Sequence, residues 1–294
     1  MANELYTLTR QFDRAIVPIL RETASAMTVL PLNTEYRGMG KHTVRTIGYS
    51  ARAASRISLD IAQEMNDAVE ITGNEIKIAV IQDDVKIPRK VYEAYIENDV
   101  PISNDLALDM MKNNLAAIDK LIYQGWTGDG TTYDIKGMYQ IGGTATTGAD
   151  FATFGNGYIS IAAAITDLNA AGVFSDSYNV ILNSVQYGQL LGSISPTGGN
   201  TEMDKVKELL GPDGRVLQNS NVTAATGIVA PDAADINRQY FDIVETLAPM
   251  HHAWFVDGNE RTGDVRVQQI TMLAPRFKHI VSTTDVAVDK LTGI

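Results

Sequence analysis

The sequence predicts a mixed α+β protein, with helices sandwiched among antiparallel strands and extended segments at both ends. Three observations carry this prediction. An amphipathic helix pattern of about 22 residues follows Pro101, two-residue alternation dominates the closing part of the chain, and a β-like stretch over 43–86 has no evident core face of its own.

The elements follow in chain order. Leu8, Phe12, Ile16 and Leu20 recur every fourth residue, which predicts a helix from about Leu5 to Met27 that Pro18 kinks or divides. VLPLNTEYRGMG is irregular, broken by Pro31, Gly38 and Gly40. His42 to Ile47 alternates as a strand, and AVEITGNEIKIAVIQDDVKIP reads as two short strands around a turn at Thr72-Gly73-Asn74. A long hairpin of mixed polarity often pairs with another chain. The long helix, ISNDLALDMMKNNLAAIDKLIYQG, has Ser103 as its N-cap and Asp105 in the first turn. Leu108, Met111, Leu115, Ile118 and Ile122 form one stripe, and Gly125 is the C-cap. At 1.5 Å per residue it is about 33 Å long. A glycine-rich turn region over 125–148 follows. Then come a helix from Tyr158 to about Ala171, a buried strand from Tyr178 to Leu182, a short helix from Ser184 to Leu191, the helix EMDKVKELLG and the strand RVLQNS. The remainder reads as the strands GIVAP, YFDIVETL, HHAWFVDG and VRVQQITMLAPRFKHIVSTTDVAVDKL.

With 294 residues, 45% of them hydrophobic, the chain can bury a core as one large domain or two smaller ones. There is no cysteine, which removes disulfides, thiol catalysis and thiolate metal sites and fits assembly in a reducing cytoplasm. MANELYTLTRQ has no apolar signal core and no apolar run approaches the ~18–20 residues of a membrane span, so the expectation is a soluble, non-exported protein. The net charge is −11, unevenly spread: residues 1–56 carry eight Lys or Arg against four acids, a net of +4, leaving −15 for the rest. A basic leading segment on an acidic body suits charge steering between copies or contact with a polyanion, and the acidic body argues against a sequence-specific nucleic-acid reader.

No residues assemble into a recognisable reaction centre, and the chain is expected not to be an enzyme, with no cofactor and no metal. His251 and His252 are the one histidine pair beside His42 and His279, and neighbours in a strand point to opposite faces. Gly38-Met39-Gly40-Lys41-His42-Thr43 fails as a phosphate loop because Glu35 and His42 stand where glycine and a hydroxyl residue are required. Gly125-Trp126-Thr127-Gly128-Asp129-Gly130 follows a helix rather than a strand, so it reads as a turn and not a dinucleotide fingerprint. No G-x-S-x-G or H-E-x-x-H occurs. Asp83-Asp84 reads as a solvated edge, and Trp126 and Trp254 as core or interface residues.

The order of elements resembles the Hong Kong 97 type of capsid fold, shared by tailed-phage major capsid proteins and encapsulin shells. QFDRAIVPILRETASAMTVLPLNTEYRGMG is similar to the N-terminal helix of encapsulins and the stretch after it. VKIPRKVYEAYIENDVPISNDLALDMMKNNLAAIDKLIYQG resembles the strand leaving the extended loop and the long spine helix, whose ending corresponds to Ile118 through Gly125. Asp134-Ile135-Lys136-Gly137-Met138 resembles the Gly-Ile-x-Gly-Leu turn, and AAAITDLNAAGVFSDSYNVILNSVQYGQLL the start of the axial domain. Ile118 and Asp134 depart from the encapsulin pattern. The resemblance implies an N-terminal arm over 1–42, an extended loop hairpin over 43–86, a peripheral domain over 87–140 with 266–294, and an axial domain over 141–265. It further implies a subunit that self-assembles, as hexamers and pentamers, into an icosahedral capsid enclosing double-stranded DNA. Such a capsid is assembled in the host cytoplasm, contacts the packaged DNA non-specifically, engages scaffold, portal and decoration proteins, and has no membrane partner. The alternative is an encapsulin-like nanocompartment around cargo enzyme. Some relatives crosslink a loop lysine to a neighbour's asparagine; Lys77 lies in the hairpin, but no motif marks its partner.

Overall fold

A computed structural model describes residues 25–38, 43–49, 71–97, 103–128, 134–141, 143–195, 200–232, 240–256, 263–277 and 287–294. The helix expected over 5–27 lies outside these residues except for its end, as do His279, residues 39–42 of the rejected phosphate loop and residues 50–70 of the hairpin.

The chain enters as a short helix, α1 (Ser25–Val29), and a two-residue strand, β1 (Leu32–Asn33). Next come β2 (Thr43–Tyr49), β3 (Ile71–Lys77) and β4 (Ala79–Ile87). The turn expected at Thr72-Gly73-Asn74 is not there. These residues lie inside β3, opposite Gly48, Ile47 and Thr46 of β2, so the cross-strand ladder overrides the local turn preference of Gly and Asn. The chain breaks instead at Ile78, whose side chain turns into the core.

A helix that alternation did not suggest, α2 (Arg89–Glu97), starts directly after Pro88, and its first turn is braced by the Arg89–Glu93 pair at 2.7 Å. The long helix α3 runs Ser103–Gln124, 22 residues as expected from the sequence. Met111, Leu115, Ile118 and Ile122 of its stripe are buried. Gly125 ends it at φ 73°, and its N–H donates to the Leu121 carbonyl. The following segment caps the helix. The N–H groups of Met138 and Tyr139 donate to the carbonyls of Ile122 and Tyr123, two of the last-turn acceptors that have no partner within the helix.

Two sheets make the body. A five-stranded sheet has the order β5 (Thr144–Thr147), β11 (Asp289–Thr292), β8 (Thr226–Pro231), β6 (Tyr178–Leu182), β7 (Arg215–Gln218). The helices α4 (Asn156–Ala170) and α5 (Ser184–Gly192) pack on it, and α6 (Glu202–Leu209) packs on these two helices. All five residues of β6 are buried, the polar Asn179 among them, whose side chain donates to Asp232 and accepts from Arg215 N–H. Asn183 caps α5 by accepting from Val185 N–H at 3.1 Å, and Thr201 with Asp204 closes a capping box on α6. Helix α4 starts at Gly155, which has no side chain to cap it, and the fully buried Glu202 substitutes, accepting from Tyr158 N–H at 3.0 Å.

The second sheet has the order β1, β9 (Phe241–Phe255), β10 (Val265–Phe277), β4, with α3 packed against β4 and β10. YFDIVETL and HHAWFVDG, expected as two strands, form the single 15-residue β9. Register against β10 shifts between Ile270 and Met272 and again before Leu273. Ile270 pairs with Met250 but Met272 with Leu247, so a bulge absorbs Ala248-Pro249 and the proline takes no ladder position. Pro275 lies beyond Leu273, the last β10 residue that β4 pairs, where the strand needs no second partner. Thus 241–255 shares a sheet with 265–277, while 289–292 joins the sheet of 144–147.

Candidate assembly surfaces

Strands β2 and β3 form a two-stranded ribbon of their own, paired from Thr43–Lys77 to Tyr49–Ile71. Its base is anchored. Val44 and Ile78 are buried with Val244, Met272 and Ala274 in a small second core, flanked by Tyr36 and Ile76. Lys77 Nζ reaches Asp134 at 2.5 Å, which ties the ribbon to the segment after α3. Among the described residues no third strand pairs with either β2 or β3, so both outer edges present open backbone groups. Strand β4 is likewise the edge of its sheet, with burial alternating along it and Val80 49% exposed.

Two polar junctions, the first partly buried and the second buried, hold the segment before the ribbon to the body. At the first, Asp119 of α3 accepts from Ala26 N–H at 3.1 Å, Ser25 Oγ at 3.2 Å and Asn219 Nδ2 at 2.9 Å, and Tyr123 Oη lies 3.3 Å from Ser25 Oγ. One carboxylate therefore caps α1 and joins it to α3 and to the residue after β7. Burial pushes the Asp119 carboxyl above its ordinary range, and the hydrogen bonds only partly offset this. Burial also raises the Tyr123 phenol. For a carboxyl raised in the folded state, acidification adds stability as pH falls through the folded value towards the unfolded 3.8, and that gain is lost as pH rises again. Asp119→Asn is expected to remove this contribution. Urea midpoints of wild type should gain more than those of the variant as pH is lowered through that window, and parallel profiles would refute it.

At the second junction Asp242, fully buried in β9, accepts from Arg276 Nε at 2.6 Å, from a second Arg276 nitrogen and from Asn33 Nδ2 at 3.1 Å. Arg276 also donates to Tyr36 Oη at 3.1 Å and stacks on its ring. Burial by itself lowers Arg276, but the bonds and charge of Asp242 prevail and hold it above its ordinary value. Beside it, the Arg37 guanidinium pairs with the buried Glu245 at 3.0 Å. None of these partners was signalled by sequence spacing.

The residues tested for chemistry remain separate. His251 is buried and His252 exposed, opposite Gln269 and Gln268 of β10, so the pair does not converge. Among the described residues no group of three or more His, Cys, Asp or Glu is placed to hold a metal ion. No helix among them is long and apolar enough to cross a membrane. Asp84 pairs with Arg266 at 2.6 Å and Asp83 accepts from Asn113 at 3.4 Å. Trp254 lies against His252 and under the Arg266 guanidinium, whereas Trp126 is 54% exposed. Further large apolar side chains stand in solvent near the start of α4 and the end of α5, among them Ile159 and Ile194, each 65% exposed, and Leu191.

This architecture of a spine helix over a four-stranded sheet, a detached ribbon and a five-stranded sheet covered by helices is the Hong Kong 97-type capsid fold. The likeness extends over nearly the whole chain. A virus-like particle from Pyrococcus furiosus is similar with a TM-score of 0.67 at 13% identity, covering 96% of this chain and 98% of that one. The capsid of the myovirus phage XM1 gives 0.64 at 17% identity, over 92% of each chain. The capsid of an empty GTA particle gives 0.60 at 14% identity, over 92% of this chain and 90% of that one. No family model matches the sequence, and no curated protein matches it.

Proposed function

We propose that the chain is a major capsid protein, a structural rather than catalytic subunit that closes into an icosahedral shell around double-stranded DNA. What carries this reading is the ribbon, anchored at its base and open along both edges, on a fold otherwise found in the shells named above. Repeated weak contacts build such a wall, and a ribbon laid over a neighbour adds buried area without a larger core. In this reading the segment before the ribbon is the arm, and residues 43–77 are the extended loop. The spine helix with β4, β9 and β10 forms the peripheral region, and the five-stranded sheet, including residues 289–292, the axial one. Hexamers and pentamers, non-specific contact with packaged DNA, assembly in a host cytoplasm, and scaffold, portal and decoration partners belong to the same proposal.

The test is negative-stain microscopy of the purified protein beside a variant in which 50–70 is replaced by Asn-Gly. That dipeptide suits a two-residue turn joining the paired Tyr49 and Ile71. Closed particles from the full chain and folded, unclosed subunits from the variant are expected. A full chain that stays monomeric, or normal shells from the variant, would overturn the proposal; small shells loaded with an enzyme would transfer it to the cargo-compartment class.

A further inference from the structure

Two carboxylates meet where α4 covers the first strands of the five-stranded sheet. Asp289 opens β11 and is fully buried. It stands opposite Thr144 of β5, and Thr146, two residues on, shares the Thr144 face. Thr146 Oγ1 donates to Asp167 Oδ2 of α4 at 2.8 Å. Neither carboxylate oxygen of Asp289, nor the buried Thr144 hydroxyl, makes a hydrogen bond of ordinary geometry among the described residues. Burial pushes the Asp289 carboxyl above its ordinary range and the Asp167 charge adds to this, while the hydroxyls of Thr144 and Thr146 only partly offset it. No Lys or Arg occurs in α4 or β5. Lys290, the next residue of β11, alternates to the other face and donates to the Ile141 carbonyl at 2.7 Å. A buried carboxylate left in this state is completed by water or by an ion.

The donors gathered here are all oxygen, two carboxylates and two hydroxyls from three elements. Such a set suits a hard cation and not zinc or copper, which favour imidazole or thiolate. Calcium accepts irregular shells of about six to eight oxygens, waters among them, whereas magnesium demands a near-ideal octahedron. Asp167 is exposed, so an ion reaches Asp289 from solvent past the Asp167 carboxylate. We propose that Asp167 and Asp289, with the hydroxyls of Thr144 and Thr146, hold one calcium ion that clasps β11 to β5 and α4. The ion neutralises a charge pair that otherwise opposes the seating of β11 between β5 and β8. Sequence spacing gives no sign of it, because its ligands come from three separate elements. The site lies within one subunit and stands independently of the shell-forming reading.

For the test, the full chain is stripped with a chelator, dialysed and titrated with calcium chloride, by calorimetry and by thermal unfolding at fixed protein concentration. One ion per chain is expected, with Tm raised by about 5 °C at roughly 100 times the Kd, and a smaller rise from magnesium. Asp289→Asn keeps the shape of the side chain and removes its charge. It should lose the calcium response and, without metal, unfold at a higher temperature than wild type. Asp167→Asn, at an exposed position, should weaken calcium binding about tenfold or more, and it keeps the test open should Asp289→Asn not fold. A calcium response unchanged in the variants, or equal shifts from calcium, magnesium and potassium salts at matched ionic strength, would overturn the proposal. So would a wild-type chain that binds no calcium, in which case stabilisation by acid alone assigns the site to a proton.

Discussion

Asp242→Ala is expected to cost about 3–5 kcal/mol of subunit stability, because it strands a buried cation. The Arg276 guanidinium has only Tyr36 besides Asp242 among its described hydrogen-bond partners, and only 8% of the residue is exposed. Removing the carboxylate leaves its charge desolvated with little compensation, and Asn33 loses a partner as well. Against a typical stability of about 5–15 kcal/mol, that loss leaves much of the chain unfolded. Urea unfolding followed by circular dichroism measures it, at fixed protein concentration since self-association shifts the midpoint. The double change Asp242→Leu with Arg276→Met should recover most of the loss, because replacing both charges removes the desolvation cost along with the attraction. An unchanged midpoint for Asp242→Ala would show that the pair contributes nothing.

Gly137→Ala is expected to destabilise by about 3 kcal/mol, at the upper end of what one added methyl group does in a packed region. A Cβ at this position would sit 2.3 Å from Gly125 N and 2.8 Å from the carbonyl carbons of Gln124 and Tyr123, all backbone that cannot rotate away. The close approach brings the segment after α3 onto the helix end, where it satisfies the carbonyls of Ile122 and Tyr123. Gly188→Ala in α5 meets nothing within 4 Å and should instead stabilise slightly, by roughly 0.5–1 kcal/mol of helix preference. Thermal unfolding of the two variants should therefore move in opposite directions.

Features set by near neighbours were legible in the sequence. The stripe on α3 and its closing Gly125, the buried strand Tyr178–Leu182 and the helix after it all follow from periodicity and capping within a turn or two. Gly137 was visible only as part of a resemblance, and its reason, contact with Gly125, is tertiary. Helix α2 was missed because nine residues offer too little period, and its support comes from Arg89 over the rings of Tyr92 and Phe255. Residues 72–74 deceived because a ladder partner far along the chain outweighs turn propensity, and β9 was divided because a bulge concealed Pro249. The polar junctions were invisible for the same reason. Asp119 and Asn219 lie 100 residues apart, and Asn33 and Asp242 lie 209 apart.

Strand β11 occupies an interior place, parallel to β5 on one side and antiparallel to β8 on the other. During translation β5 and β8 therefore emerge with a vacancy between them that residues 289–292 alone fill. The five-stranded layer cannot be completed on a shorter nascent chain, and this long-range closure is slow compared with forming α3. Ribosome-bound intermediates would thus possess the long helix before they possess a finished sheet.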